Sequence, residues 1–117
     1  MKTLSVIFSF IFLFFGFSGY CQVITVTPAL PNDQSSVEVT FDATKGNAAP
    51  NLVDYTGDVY AHTGVITNKS TSSSDWRYVK AAWGVNIADC KLISLGNNKW
   101  KLNIGPSIRE YYNVPAG

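Results

Sequence analysis

Apolar residues of this chain recur at every second position in short runs, and no window carries a sustained apolar stripe of helical period. Alternation with period two is the pattern of a β-strand that buries one face. Six such runs are separated by residues that favour turns: 23–27, 37–41, 57–67, 77–84, 91–95 and 100–104. The sequence therefore predicts an all-β protein with an Ig-like antiparallel β-sandwich.

Two short motifs in the C-terminal part predict a tight hairpin and a capped helical turn. Gly96, Asn97 and Asn98 separate the last two runs, and Gly and Asn tolerate the positive φ angles that a tight hairpin requires. Ser107 stands three residues before Glu110, a spacing that predicts a capped single turn of helix over residues 108–112.

The first 21 residues are typical of an export signal. Lys2 supplies a positive charge, and residues 4–17 are an uninterrupted stretch of apolar residues, Ser and Gly. The stretch is shorter than the ~20 residues of a membrane span, so we expect cleavage after Cys21 and no membrane span. Lipidation of Cys21 is an alternative, but it requires a small residue before the cysteine, where Tyr20 stands. We expect a secreted or cell-surface protein whose mature domain is residues 22–117.

The composition of residues 22–117 argues against several classes of function. Lys2 is one of the nine basic residues, so the mature domain has eight basic and eight acidic residues and no excess of Lys and Arg for nucleic acid. His62 is the single histidine, which rules out a multi-histidine zinc site. Asp42, Asn47 and Asn51 offer oxygen ligands for Ca²⁺ without a full loop signature, so no metal or cofactor is expected.

No pattern of catalytic residues stands out. The sequence has no nucleophile elbow and no phosphate-binding loop. Asp54 and Asp58 flank a turn, and nothing in the sequence places them across a cleft as glycoside hydrolysis requires. Cys90 has no partner for a disulfide in the mature domain and is expected to be a small buried residue. This segment is therefore expected to lack a catalytic site.

The aromatic residues carry the clearest functional indication. Six of the seven Phe residues lie in the export signal, so the mature domain is rich in Trp and Tyr instead. Both side chains combine an apolar face with a polar group, which suits partly exposed sites. In the 57–67 run, Tyr60 and His62 share one face, and Trp76 follows a serine-rich loop. We predict that Tyr60, His62 and Trp76 form an exposed patch.

The other aromatic residues are predicted to be structural. Trp83 and Trp100 follow the apolar alternation of their runs and are expected to fill the core. Tyr111 and Tyr112 are expected to pack the C-terminal turn onto the sheet.

Several motifs, in the same order, resemble a known family. They are FDATKGN, GDVYAHTGVITN, DWRYVKAAWG and LGNNKWKLNIGPSIREYYNVP. Across nearly all of residues 23–117 they resemble the N-terminal module of secreted Bacteroidetes glycosidases of the α-amylase type. More loosely, the aromatic-x-aromatic strand followed by a Trp is similar to the small β-sandwich starch-binding modules of families 25 and 26.

The resemblance implies a non-catalytic module that binds an α-glucan polysaccharide or oligosaccharide and precedes a catalytic domain of the same chain. Tyr60, His62 and Trp76 would stack on sugar rings, and His62, Lys80 or the Asn97–Asn98 turn would bind hydroxyl groups. It also implies a closing strand after Gly117, without which the sandwich is incomplete.

Two other functions stay open at this point. In the first, an Ig-like spacer uses the same aromatic residues to pack against a following domain. In the second, the domain adheres to another polysaccharide or to a surface protein.

Overall fold

The computed structural model describes residues 22–46 and 52–117. Its regular structure is one β-sheet with very little helix, which confirms the predicted all-β class. The elements are β1 (Ile24–Thr27), β2 (Val37–Asp42), a 3₁₀ turn (Ala88–Cys90), β3 (Ile93–Gly96), β4 (Lys99–Ile104) and helix α1 (Ile108–Tyr111). The predicted export signal, residues 1–21, lies outside the described residues, as do Asn47 and Asn51. No helix within the described ranges is long and apolar enough to cross a membrane.

The four strands form an antiparallel sheet in the order β1-β2-β4-β3. The hairpin between β3 and β4 confirms the prediction from its turn residues. Gly96, Asn97 and Asn98 have φ angles of 75°, 53° and 61°. Such angles are costly for most side chains and mild for Gly and Asn, which explains why these residues stand there.

The period-two alternation gives the sheet one apolar and one polar face. Residues directly opposite each other in an antiparallel pair project to the same face. The apolar face pairs Val37, Val39 and Phe41 of β2 with Ile104, Leu102 and Trp100 of β4. On β2 and β4 the opposite face is polar, and there Lys101 Nζ lies 3.1 Å from Glu38 Oε1.

The core lies between this apolar face and the C-terminal segment. Its fully buried members are Val37, Leu102, Ile104, Tyr111 and Tyr112, with Ala61, Val65 and Leu92 packed against them. The Ser107 hydroxyl accepts a hydrogen bond from the Glu110 backbone at 3.1 Å and so begins α1, as predicted. The expected packing of Tyr111 and Tyr112 onto the sheet is confirmed. Cys90 is also buried as expected, with 1% of its surface exposed.

The prediction of a regular strand over residues 57–67 is wrong. The segment forms only isolated bridges, from Tyr60 to Lys91 and from Val65 to Arg77. Residues 59 and 61 hydrogen-bond with 92 and 90, whereas 63 and 65 bond with 80 and 77. Because the pairing changes partner midway, no continuous ladder forms. No backbone hydrogen bond within the described residues involves Tyr60, His62, Gly64 or Ile66.

The predicted strand over residues 77–84 is also absent. Only Arg77 enters a bridge, and the chain turns at Tyr78, whose φ angle is 50°, and again at Gly84, whose φ angle is 80°. Left-handed angles at these positions interrupt extended backbone. Among the described residues, the run 57–67 packs Ala61 and Val65 against the core, and the run 77–84 is an irregular segment bridged to it.

Candidate functional site

An exposed aromatic cluster is the most distinctive surface feature of the described chain. It consists of Trp76, His62 and Trp83, with the imidazole ring between the two indoles. The His62 and Trp76 ring centroids are 5.8 Å apart and nearly parallel, at 27°. The His62 and Trp83 centroids are 5.1 Å apart and perpendicular, at 90°. Trp76 is 47% exposed and Trp83 is 83% exposed, so both indoles present surface to solvent.

The ring angles make the cluster an angled platform. Trp76 tilts by only 27° from the imidazole plane while Trp83 stands at 90° to it, so the two indole planes are steeply inclined to each other. An indole face left in water is apolar surface that a ligand of matching shape can cover. The cluster therefore suits a curved ligand that presents apolar faces in two directions.

The backbone around His62 turns its side chain outward. The Ala61 N–H donates to the Cys90 carbonyl at 2.8 Å, and the Thr63 carbonyl accepts from the Lys80 N–H at 2.9 Å. The neighbouring Ala61 packs against the core. Because side chains alternate along extended backbone, burial of Ala61 directs His62 to solvent.

The loop before Trp76 is anchored by one carboxylate. Asp75 Oδ2 accepts hydrogen bonds from the Thr71 backbone N–H at 3.0 Å, from Thr71 Oγ1 at 3.2 Å and from Arg77 Nη2 at 2.9 Å. The Thr71 backbone bond, assisted by Arg77, lowers the pKa of Asp75 below its usual value. Arg77 in turn exchanges two backbone hydrogen bonds with Val65, at 2.9 and 2.7 Å. Trp76 thus stands between two residues held by neighbouring segments.

Trp83 was expected in the core, and that expectation is wrong, whereas Trp100 is buried at 6% exposure as predicted. The alternation placed Trp83 on one face with Val79 and Ala81, but residues 77–84 do not form a strand. The Val85 N–H closes a turn onto the Ala82 carbonyl at 3.0 Å, and Trp83 projects from this turn. The sequence signal was the glycine directly after Trp83, which marks a turn.

Tyr60 is half-buried and makes no ring contact with Trp76, His62 or Trp83 in the part of the chain that the structure describes. It lies at the bridge to Lys91, whose Nζ pairs with Asp58 Oδ1 at 3.0 Å. The structure therefore brings together His62 and Trp76 of the predicted patch and adds Trp83, whereas Tyr60 makes no ring contact with these three among the described residues.

Lys80, the fourth predicted site residue, points into the protein. Its Nζ donates to the Tyr111 carbonyl at 2.6 Å, lies 3.3 Å from Asp89 Oδ2 and stands 4.5 Å from the centroid of the Tyr111 ring. Only 15% of its side chain is exposed. The two contacts with Tyr111 tie the segment carrying Trp83 to helix α1, and the contact with Asp89 ties it to the 3₁₀ turn.

The remaining polar candidates lie in a separate groove of about 1150 Å³ between residues 54–58 and the β3–β4 hairpin. Asn98 Oδ1 accepts from the Asp54 backbone N–H at 2.6 Å, and Asp58 pairs with Lys91. Asp54 and Asp58 both line this groove, but Asp54 is hydrogen-bonded to Asn98 and Asp58 is paired with Lys91.

No group of three or more His, Cys, Asp and Glu side chains that could hold a metal ion occurs within residues 22–46 and 52–117. Asp42 accepts hydrogen bonds from the Thr44 hydroxyl and backbone, and these bonds lower its pKa. Its oxygens thus stabilise a local turn.

The chain matches no protein-family model, and no curated protein matches it.

Proposed function

We propose that residues 22–117 form a non-catalytic carbohydrate-binding module whose ligand is an α-glucan such as starch. The observation that carries the proposal is the exposed His62 ring held between two exposed indoles, Trp76 and Trp83. Of the residues expected from sequence, His62 and Trp76 keep their proposed stacking roles. Trp83 joins them, whereas Lys80 is given a structural role.

The physical argument concerns shape. A pyranose ring presents an apolar face of C–H groups that lies flat on an indole, while its hydroxyl groups point sideways to water or to an imidazole nitrogen. Two steeply inclined indoles can each cover one sugar of a chain that curves, as an α-1,4-glucan does, and fit a flat ribbon poorly. We expect a Kd in the range of roughly 10 μM to 1 mM, which corresponds to about 4–7 kcal/mol. Stacking supplies about 1 kcal/mol per ring, and hydrogen bonds to the sugar hydroxyl groups would supply the rest.

We further propose that the module belongs to a secreted glycosidase, follows a cleaved export signal and precedes a catalytic domain. Binding would keep that domain near its polysaccharide and so raise the local substrate concentration. The support is the order of sequence motifs across residues 23–117 and the apolar stretch at 4–17.

We also propose that the fold is an Ig-like sandwich completed by a further strand. Two observations support this. The backbone N–H and C=O groups of residues 60, 62, 64 and 66 have no backbone hydrogen-bond partner among the described residues. On the apolar face of β1, Ile24 and Val26 remain 53% and 37% exposed. Unpaired backbone groups along an extended segment, and apolar side chains left uncovered on the sheet, are both what a missing strand would leave.

Affinity electrophoresis tests the binding proposal. The mature chain, Trp83→Ala and Trp76→Ala are run in native gels with and without soluble starch, and a parallel gel contains a soluble cellulose derivative. Tyr55→Ala is the matched control, because Tyr55 is an aromatic residue 47% exposed in the separate groove. We expect starch to retard wild type and Tyr55→Ala but neither Trp variant, and cellulose to retard none. A folded wild-type protein with equal mobility in all gels would refute the proposal.

A structural spacer is the second candidate, and the exposed apolar surface favours it. Ile66, Val79 and Val85 are 52%, 41% and 54% exposed and lie in the segments that carry the cluster. A following domain could cover them together with the indoles. In that case Trp83 would be protected from an indole-modifying reagent in the longer natural chain and reactive in residues 22–117 alone, and starch would protect neither.

A further inference from the structure

The serine-rich loop between Thr67 and Trp76 is held by a single carboxylate at its end. Asp75 Oδ2 takes hydrogen bonds from both the backbone and the hydroxyl of Thr71, and pairs with Arg77 Nη2. The same guanidinium nitrogen donates to the Lys69 carbonyl at 3.2 Å. Asp75 and Arg77 together therefore join the start of the loop to its end.

Trp76 lies between these two residues in sequence. Trp76 is 47% exposed, so nearly half of its surface has no packing contact, and its ring contact among the described residues is with His62. The conformation of the residues on either side therefore contributes to the direction in which the indole leaves the backbone. A stacking site retains affinity only if its rings are held near the productive geometry, because a mobile ring loses entropy on binding.

We propose that Asp75 is a positioning residue of the binding site, which orients Trp76 against His62 by closing the loop onto Arg77. The inference rests on the proposed function for its effect on affinity, but its effect on the indole itself is independent of any ligand. Asp75 is not expected to touch the sugar.

The decisive comparison is Asp75→Asn against Asp58→Asn. Both changes remove one negative charge from an ion pair with a basic residue: Asp75 Oδ2 with Arg77 Nη2 at 2.9 Å, and Asp58 Oδ1 with Lys91 Nζ at 3.0 Å. Only Asp75 borders Trp76. We expect Asp75→Asn to bind soluble starch about fivefold to tenfold more weakly, and Asp58→Asn to bind as wild type. Equal affinity for all three proteins would overturn the proposal.

A spectroscopic measurement separates positioning from general destabilisation. The near-ultraviolet circular dichroism of Trp76 depends on its orientation relative to His62. Asp75→Asn should change this signal in the wild-type background and leave it unchanged in a Trp76→Phe background. The same change in both backgrounds would show that Asp75 acts elsewhere, against the proposal. If Asp75→Asn does not fold, Thr71→Ala removes one of the three bonds and is compared with Thr71→Ser, which keeps it.

The two proposals fail in different ways. If wild type does not bind starch but the Trp76-dependent spectral change is present, the carbohydrate function is wrong and the positioning role stands. If wild type binds starch and Asp75→Asn changes neither affinity nor spectrum, the function stands and the positioning role is refuted.

Discussion

Replacing Lys80 with Met tests whether this lysine is a structural cross-link. Methionine keeps a similar apolar stem and removes the charge. Lys80 is 15% exposed, donates to the Tyr111 carbonyl at 2.6 Å and lies over the Tyr111 ring. Burial raises the pKa of the Tyr111 phenol above its ordinary value, so this ring stays uncharged well into the alkaline range. The variant should leave the Tyr111 carbonyl without its charged donor.

The expected loss comes from three contacts of different weight. A hydrogen bond to a charged donor contributes about 1.5–3 kcal/mol, and a cation–π contact at a partly buried site about 0.5–1 kcal/mol. The ion pair adds roughly 0–1 kcal/mol, because Asp89 is 64% exposed and solvent screens it. Since these contributions overlap, we expect Lys80→Met to lower the free energy of unfolding by about 2–3 kcal/mol. For a domain of this size, the melting temperature should fall by roughly 10 °C or more.

Thermal and urea unfolding of wild type, Lys80→Met and Lys91→Met provide the measurement. Lys91 is the matched control because its ion pair with Asp58 is exposed on both sides, at 47% and 60%, and should contribute little. Similar small losses in both variants would refute the cross-link. Starch binding by folded Lys80→Met should match wild type at temperatures below its melting point, whereas specific loss of binding there would restore Lys80 to the site.

Three further predictions concern stability. Leu102→Ala should lower the free energy of unfolding by about 3 kcal/mol in urea titrations, because the side chain is 6% exposed in the core; a loss under 1 kcal/mol would contradict this packing. Asn98→Ala should cost about 1–2 kcal/mol, since Asn98 combines a φ of 61° with a hydrogen bond to the neighbouring loop, and Asn98→Gly should cost less. Hydrogen bonds hold three carboxyl pKa values below 3.8, those of Asp33, Asp42 and Asp75. The pKa values of these carboxyl groups are lower in the folded than in the unfolded state, so the stabilisation is present above about pH 4 and is lost on acidification. The urea concentration at the unfolding midpoint should therefore stay constant from pH 7 to pH 5 and fall below pH 4.

The sequence predicted those strands whose apolar alternation is matched by one continuous pairing partner. β2 and β4 alternate cleanly and pair with each other in register, and Gly96 to Asn98 specify their own turn. Residues 57–67 alternate just as well, yet the segment has two successive partners and so forms bridges without a strand. Alternation reports which side chains face inward, but the length of a ladder depends on segments distant in sequence.

The candidate site shows the same limit of sequence-based prediction. His62 and Trp76 were identifiable because alternation and a loop brought them to one side. Trp83 was not, since its exposure depends on a turn at Gly84 that ends the extended run early. Lys80 points inward because of Tyr111, 31 residues later in the chain, and no spacing within its own segment indicates that contact.

The one-sided pairing of residues 59–66 has a consequence for hydrogen exchange. The amides of Ala61 and Val65 donate to the Cys90 and Arg77 carbonyls, whereas those of residues 60, 62, 64 and 66 have no acceptor among the described residues. Within residues 60–66, exchange should therefore be slow at Ala61 and Val65 only, because Thr63 is bonded through its carbonyl and its amide has no acceptor among the described residues. A ligand seated over His62 would slow exchange of the amides close to His62, whereas a strand added along this edge would pair with the whole segment. Only an added strand would slow all four even-numbered amides together, so the exchange pattern distinguishes the two.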